Sequence, residues 1–189
     1  NIGMVARAMA NFGLAELRLV NPRDGWPSEK ARAAASKADH VIDATKVFDT
    51  LEDAIKDLNF VYATTARERY GFKPVRAPVT AADTLRTKFK AGERTGILFG
   101  RERWGLTNEE VALADEIVTF PVNPAFASLN IAQAVLLMSY EWMKSGMEDL
   151  EDTVFQSVEQ RPSTKEQVFG LFEHIEEALE ARGYFHPAE

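Results

Sequence analysis

Short apolar, β-branched runs alternate along the chain with stretches of helical periodicity. Leu17–Val20, Phe60–Thr64, Gly96–Phe99 and Ile117–Phe120 predict strands, since each is brief, rich in branched or aromatic side chains and bounded by turn residues. Apolar positions that recur with helical period predict helices over 2–12, 28–38, 51–57, 81–90, 107–113 and 129–145. A parallel pair of strands needs a long crossover, usually a helix, so this alternation predicts an α/β domain. Its sheet is mostly parallel and its helices cover both faces. A domain of this type ordinarily begins on a strand, and one is expected ahead of Asn1.

Two stretches break the alternation. Residues 66–80 are polar and carry Gly71, Pro74 and Pro78, which predicts a long loop of the kind that is often functional. Gly146 through Pro162 is acidic and weakly patterned and reads as a linker after a main domain at 1–146. Beyond it, Ser163-Thr164-Lys165-Glu166-Gln167 offers two overlapping capping boxes. Val168, Leu171, Phe172, Ile175 and Leu179 follow at helical spacing, with Gly183 as the closing left-handed residue. The C-terminal part, 163–189, is thus an amphipathic helical appendage. Its stripe needs cover from a partner subunit or a further extension.

Composition narrows the chemistry. The chain has no cysteine, which excludes a disulfide framework, a thiolate metal site and a Cys nucleophile, and fits a reducing cytoplasm. His40, His174 and His186 show no metal-ligand spacing, so no metal is expected. No apolar run reaches membrane-spanning length and no signal peptide is visible. The net charge of −7 counts against a nucleic-acid partner, but its distribution counts the other way. Residues 67–103 carry 10 Lys/Arg against 4 Asp/Glu, whereas residues 104–189 carry 4 against 16. A basic stretch beside a glycine-rich turn suits a phosphate-tracking surface, and a plain solvated face is the alternative.

Gly100-Arg101-Glu102-Arg103-Trp104-Gly105 has the glycine spacing of a P-loop, but Leu106-Thr107 stands where Lys-Ser/Thr is required. A Rossmann fingerprint is also absent. What remains is a tight strand-to-helix connection at the carboxyl end of a strand, where open α/β sheets bind ligands. Asn1 and Ser128 have the residue types and positions of helix N-caps. Arg7 lies nearly two turns beyond Asn1, on roughly the same side of the helix, with a surface salt bridge as its ordinary role.

Taken in order, Asn1-x-Gly3-x-x-x-Arg7, then Phe99-Gly100-x-Glu102-x-x-Gly105-Leu106-x-x-Glu109, then Ser128-Leu129-Asn130 before an apolar helix form a connected series. The series resembles the three motifs of the SpoU (TrmH) branch of the SPOUT RNA 2'-O-ribose methyltransferases. The resemblance covers about residues 1–145, and a weaker likeness continues through Phe169–Leu179.

The resemblance implies a deep trefoil knot built from roughly Thr95 to Glu141, and a homodimer whose sites are completed across the interface. It implies an S-adenosylmethionine pocket formed by Thr64, Thr65, Ala66, Gly100, Phe120, Ala127, Ser128 and Leu129. It further implies methyl transfer to a ribose 2'-hydroxyl, with Asn1, Arg7, Glu102, Ser128 and Asn130 as catalytic residues. Family members credit the residue matching Arg7 with activating the hydroxyl, yet a guanidinium stays protonated and is a poor base. The expectation is that Arg7 holds an RNA phosphate and stabilises the developing alkoxide, while water or a phosphate oxygen takes the proton. Arg67, Arg69, Lys73 and Arg76 on the long loop, with Arg101 and Arg103, are the expected RNA contacts. The expected substrate is tRNA, of the anticodon-loop type. Ribosomal RNA, a non-catalytic RNA-binding role and a nucleotide-binding protein are the alternatives.

Overall fold

The computed structural model describes residues 1–66, 73–147 and 163–185. They fall into two units, Asn1–Glu148 and Asp149–Glu189. In the first unit the strands are β1 (Arg18–Val20), β2 (Lys46–Phe48), β3 (Phe60–Thr64), β4 (Val75–Arg76), β5 (Thr95–Leu98) and β6 (Glu116–Val118). Its helices are α1 (Ile2–Asn11), α2 (Glu29–Ala35), α3 (Asp39–Asp43), α4 (Leu51–Ile55), α5 (Pro78–Lys90), α6 (Asn108–Ala112) and α7 (Ile131–Lys144). A 3-10 turn spans Pro124–Phe126.

Every strand pairing is parallel. The main sheet has the order β4-β6-β3-β5, and β1 pairs with β2 in a second, two-stranded sheet. In register, Tyr62 lies between Ile97 and Glu116. The period of two on β3 separates two cores. Val61 and Ala63 pack with Leu106, Val111, Ala114 and Ile117 on the α6 side. Tyr62 packs with Ala81, Ala82, Leu85, Val118 and Met138 of α5, β6 and α7 on the other. Small residues draw the remaining helices together, with Ala6 of α1 against Ala31 and Ala35 of α2, and Val5 and Ala8 against Val135 of α7. Gly3 belongs to the same seam, because a Cβ there would stand 2.0 Å from the Ala31 carbonyl oxygen.

The helix starts follow the side chains available. Ser28, Thr50 and Thr107 cap α2, α4 and α6, and Glu110 completes a capping box with Thr107. Two expected caps differ. Asn1 stands at the start of α1 without capping it by its side chain, and α7 is capped by Asn130 in a box with Gln133, not by Ser128. Three elements escape the hydrophobic pattern. The segments of β2 and α3 are too short to show a period, and the two residues of β4 are exposed and join the sheet through backbone bonds and the Arg76–Glu116 ion pair.

The free edges of β1 and β5 line a common cleft of about 1990 Å³, walled by Ile2, Val5, Leu17, Leu58, Ile97 and Val135. Near one end an ion cluster joins the strands' amino ends: Arg18 pairs with Glu16 and Asp57, and Arg94 with the same two carboxylates.

The second unit holds α8 (Lys165–Glu180). Of the two candidate boxes, Thr164 with Gln167 forms. Gly183 adopts φ +67° and the Tyr184 N–H donates to the Leu179 carbonyl at 3.0 Å, closing the helix as expected. Phe169, Leu171, Phe172 and Ile175 are exposed. Most of the expected linker, residues 148–162, lies outside the described residues.

Candidate active site

Parallel strands bring their carboxyl ends to one edge, so the segments after β3, β5 and β6 emerge side by side. Because β3 lies between β5 and β6, Thr64–Ala66 is flanked by the Gly100 loop and by the Phe120 segment. The Thr64 hydroxyl donates to the Leu98 carbonyl at 2.8 Å and the Thr65 N–H to the Val118 carbonyl at 3.2 Å, which fixes the three segments relative to one another. Phe120 packs on the Tyr62–Val118 core. Ala127 and Leu129 are half-buried, and Ser128 is exposed.

The loop after β5 doubles back tightly. The Gly105 N–H donates to the Arg101 carbonyl at 2.7 Å and the Arg101 N–H to the Gly105 carbonyl at 3.3 Å. A Cβ on Gly100 would lie 2.2 Å from the Gly105 carbonyl carbon and 2.3 Å from the Leu106 nitrogen, so this return admits only glycine. Arg101 pairs with Glu110 at 2.9 Å, tying the loop to α6.

Glu102 joins the pieces. Its Oε1 accepts from the Asn1 Nδ2 at the start of α1 and from the Asn130 Nδ2, 3.3 Å away, at the start of α7. The Asn130 amide does two jobs, since its Oδ1 also accepts the Ala132 N–H at 2.8 Å as the helix cap. The amide orientation follows from that pair of bonds. Asn1, Glu102 and Asn130, 101 and 28 residues apart from Glu102 along the chain, thus meet at one carboxylate.

The remaining expected residues divide. Arg7 lies on the exposed side of α1, and its guanidinium has no hydrogen-bond or ion-pair partner among the described residues. Arg101 and Arg103 sit in the Gly100 loop, with the Arg103 guanidinium 5.7 Å from the Trp104 ring centroid. Arg67 and Arg69 lie outside the described residues. Lys73 donates to the Ala114 carbonyl, just ahead of β6, and Arg76 pairs with Glu116 at 2.9 Å, so both side chains are drawn toward the amino ends of the strands. Arg76 holds the Glu116 carboxyl below its ordinary range, and burial pushes the Tyr62 hydroxyl up. Other cations of the basic stretch are also committed. Arg86 stacks 3.6 Å from the Trp142 ring centroid, Lys88 pairs with Glu93 and Arg94 with Asp57.

Two features at this end escaped the sequence. The Asn21–Gly25 loop follows β1 and presents Arg23, held above its ordinary range first by the hydrogen bond to Asp24 and also by the charge of Glu102. Trp104 stands exposed at the tip of the Gly100 loop. The turn signals Asn21-Pro22 and Asp24-Gly25 were the available clue to the first. Among the described residues no cluster of His, Asp and Glu could hold a metal ion.

Residues 1–140 match the SpoU rRNA Methylase family. The tRNA (cytidine/uridine/adenosine-2'-O-)-methyltransferase TrmJ of Pseudomonas aeruginosa strain UCBPP-PA14 is 36% identical over 196 aligned positions, spanning 99% of this chain and 75% of that protein. The crystal structure of TrmJ from Z. mobilis ZM4 superposes with a TM-score of 0.73 at 47% identity, over 98% of this chain and 77% of the other. The A. aeolicus TrmH/SpoU tRNA modifying enzyme, 16% identical, shares the fold with a TM-score of 0.58 over 76% of this chain and 67% of its own. With the family's match spanning the whole of the sheet and the loops at its carboxyl edge, the chain belongs to the SpoU methylase family.

Proposed function

We propose that the protein is an S-adenosylmethionine-dependent methyltransferase acting on a ribose 2'-hydroxyl of tRNA. One observation carries the reading: Glu102 accepts from both Asn1 and Asn130, so one carboxylate joins all three motif segments at the carboxyl edge of the sheet. The tRNA substrate is supported by relatives named as tRNA 2'-O-methyltransferases at 34–36% identity over nearly the whole chain. An anticodon-loop nucleotide is the finer expectation.

The residues present fit the cofactor. Gly100 leaves backbone without a side chain, Ala66 and Ala127 are small, and backbone groups in the three segments can read an adenine edge and a carboxylate. Thr64, Thr65, Ala66 and Gly100 would hold one side, and Phe120, Ala127, Ser128 and Leu129 the other, within a knot built from about Thr95 to Glu141. The bound cofactor supplies a methyl group on a sulfonium. Asn1, Glu102, Ser128 and Asn130 orient the ribose for in-line attack. Arg7, free of intramolecular partners among the described residues, grips the phosphate beside the target and stabilises the developing alkoxide as water or phosphate oxygen takes the proton.

The reading includes a homodimer. Leu136, Leu137, Tyr140 and Met143 are exposed on the side of α7 opposite its buried Val135, Met138 and Ser139. Met4 is exposed on α1 one turn before Arg7, so an interface on this face would carry Arg7 toward the partner's site. A cytoplasmic location accompanies a tRNA substrate, and among the described residues no helix is long and apolar enough to cross a membrane.

The test is methyl transfer from labelled S-adenosylmethionine to tRNA and, separately, to ribosomal RNA fragments, with the product nucleoside mapped by mass spectrometry. Label in a 2'-O-methyl nucleoside of tRNA is expected. Label confined to ribosomal RNA would move the substrate, and methylation on a base would overturn the reaction.

A further inference from the structure

We infer that Trp104 and Arg23 form a subsite for the nucleotide next to the methylated one, with Trp104 stacking on its unpaired base and Arg23 and Arg103 on its phosphate. The inference rests on the ribose-methylation reading and deepens it. Trp104 is 67% exposed, while Trp26 and Trp142, the chain's other tryptophans, pack against cores. A flexible loop could let such a ring fold away, but this one is pinned. The Arg101–Gly105 bridge closes its base, Gly105 takes φ +67°, and Glu102, two residues before Trp104, is held by Asn1 and Asn130. The loop therefore presents the ring next to Glu102 and its partners.

The surroundings have the chemistry of a nucleotide site. Arg103 lies over the Trp104 ring. Arg23, with its side chain 91% exposed and paired with its neighbour Asp24, lines the same cleft as Trp104. An aromatic face with guanidinium groups beside it is the recurring means of holding single-stranded nucleic acid, because every base has a π-face and every nucleotide a phosphate. Spacing selects a neighbour over the target itself. Two residues of chain reach at most about 7 Å when extended and less across this tight turn, which is on the scale of the roughly 3.4 Å between stacked bases. A ribose held at Glu102 thus leaves Trp104 within reach of a flanking base. Stacking tolerates any base, so the subsite demands an unpaired neighbour and not a particular sequence.

The experiment uses the full-length protein, its mapped tRNA substrate and the same substrate made abasic at one or the other nucleotide flanking the target. Trp104→Ala should raise KM for tRNA about tenfold, with kcat little changed and S-adenosylmethionine affinity unchanged. Trp104→Phe should recover most of the loss. One abasic substrate should raise the wild-type KM by a similar factor and cause no further rise in Trp104→Ala, which marks the base that stacks. Arg23→Ala should raise KM and flatten its salt dependence. If the abasic and Trp104→Ala effects multiply independently for both neighbours, or if Trp104→Ala leaves KM unchanged, the subsite is wrong even though the enzyme is active. If Trp104→Ala instead changes the oligomeric state with unaltered tRNA affinity per active dimer, the ring serves a protein contact and the proposal also fails. A wild-type protein with no tRNA methylation would overturn the underlying reading instead.

Discussion

Gly100→Ala tests the loop geometry with a single methyl group. The added Cβ would stand 2.2 Å from the Gly105 carbonyl carbon and 2.3 Å from the Leu106 nitrogen. Ordinary contact between carbons begins near about 3.5 Å, so the returning strand of the loop must retreat by roughly 1 Å. Both opposing atoms are backbone, and no rotamer change can relieve the overlap. Retreat breaks the Arg101–Gly105 bridge and carries Glu102 away from Asn1 and Asn130. Overpacking costs about 1–3 kcal/mol. Two weakened backbone hydrogen bonds add about 0.5–1.5 kcal/mol each, so a loss near 3 kcal/mol is expected.

For a chain of this size that loss lowers Tm by about 6–12 °C. The catalytic effect should be larger than the stability effect, because a misplacement of about 1 Å can cost on the order of a hundredfold in rate. The assay is kcat/KM for methyl transfer at a temperature well below the variant's Tm, beside calorimetric titration with S-adenosylmethionine. A fall of about two orders of magnitude in kcat/KM is expected, with weakened cofactor binding. A variant that keeps kcat/KM within about threefold while losing only stability would refute the reasoning, since the loop would then be a packing feature and not a positioning one.

Arg7→Ala should abolish methyl transfer with little change in S-adenosylmethionine affinity, and Arg7→Lys should restore little, because an ammonium cannot reproduce a two-pronged grip on phosphate; normal turnover in Arg7→Ala would remove Arg7 from the site. Arg18 holds the Asp57 carboxyl down at about 2, so the stability Asp57 contributes is present above its unfolded value of about 3.9 and drains as pH falls toward 2. Asp57→Asn should therefore be less stable at pH 6 and lose less on acidification, read from urea midpoints at about pH 6 and 2.5; parallel curves for the two proteins would count against the pair. Leu137→Glu combined with Tyr140→Glu should convert a dimer to monomers in sedimentation and remove activity while leaving the circular dichroism spectrum intact. Arg103→Ala should reduce the salt slope of tRNA binding by about 0.7, one phosphate contact, whereas Lys88→Ala should leave it unchanged because Lys88 is committed to Glu93 and Phe60.

The sequence disclosed elements with a period and hid those without one. Phe60–Thr64 is a strand from end to end as predicted, since Val61 and Ala63 face one core and Tyr62 the other. The helices at 2–12 and 129–145 appear within one or two residues at each end, apolar stripes inward. In contrast β4 lies inside the predicted loop and contributes two exposed residues, which no periodicity can announce. The strand order was likewise invisible, because β6 inserts between β4 and β3 out of chain order and no hydrophobic period announces that order. At the site, the motif spacing located Asn1, Glu102 and Asn130 but not their meeting at one carboxylate. The capping logic that favoured Ser128 overlooked that Asn130 can cap with its oxygen and bind Glu102 with its nitrogen.

The charge pattern explains how an acidic chain can hold RNA, and why a count of cations misleads. The stretch 67–103 is strongly basic in sequence, yet its side chains are allotted to different tasks. Lys73 and Arg76 tie down β6 and its approach, Arg86 is stacked against Trp142, Lys88 lies between Glu93 and Phe60, and Arg94 closes the ion cluster between β1 and β5. Each of these has given its charge to the fold and has little left for a phosphate. Among the described residues, Arg103 after β5 keeps its guanidinium clear of carboxylates, Arg23 after β1 shares its own with the neighbouring Asp24, and Arg7 on α1 has no partner. So small a number of exposed guanidinium groups favours a nucleotide held at one point over a long duplex tracked along its backbone, because each phosphate contact needs its own cation. The net charge of −7 then works in the same direction, opposing RNA contact where no arginine stands ready to meet a phosphate.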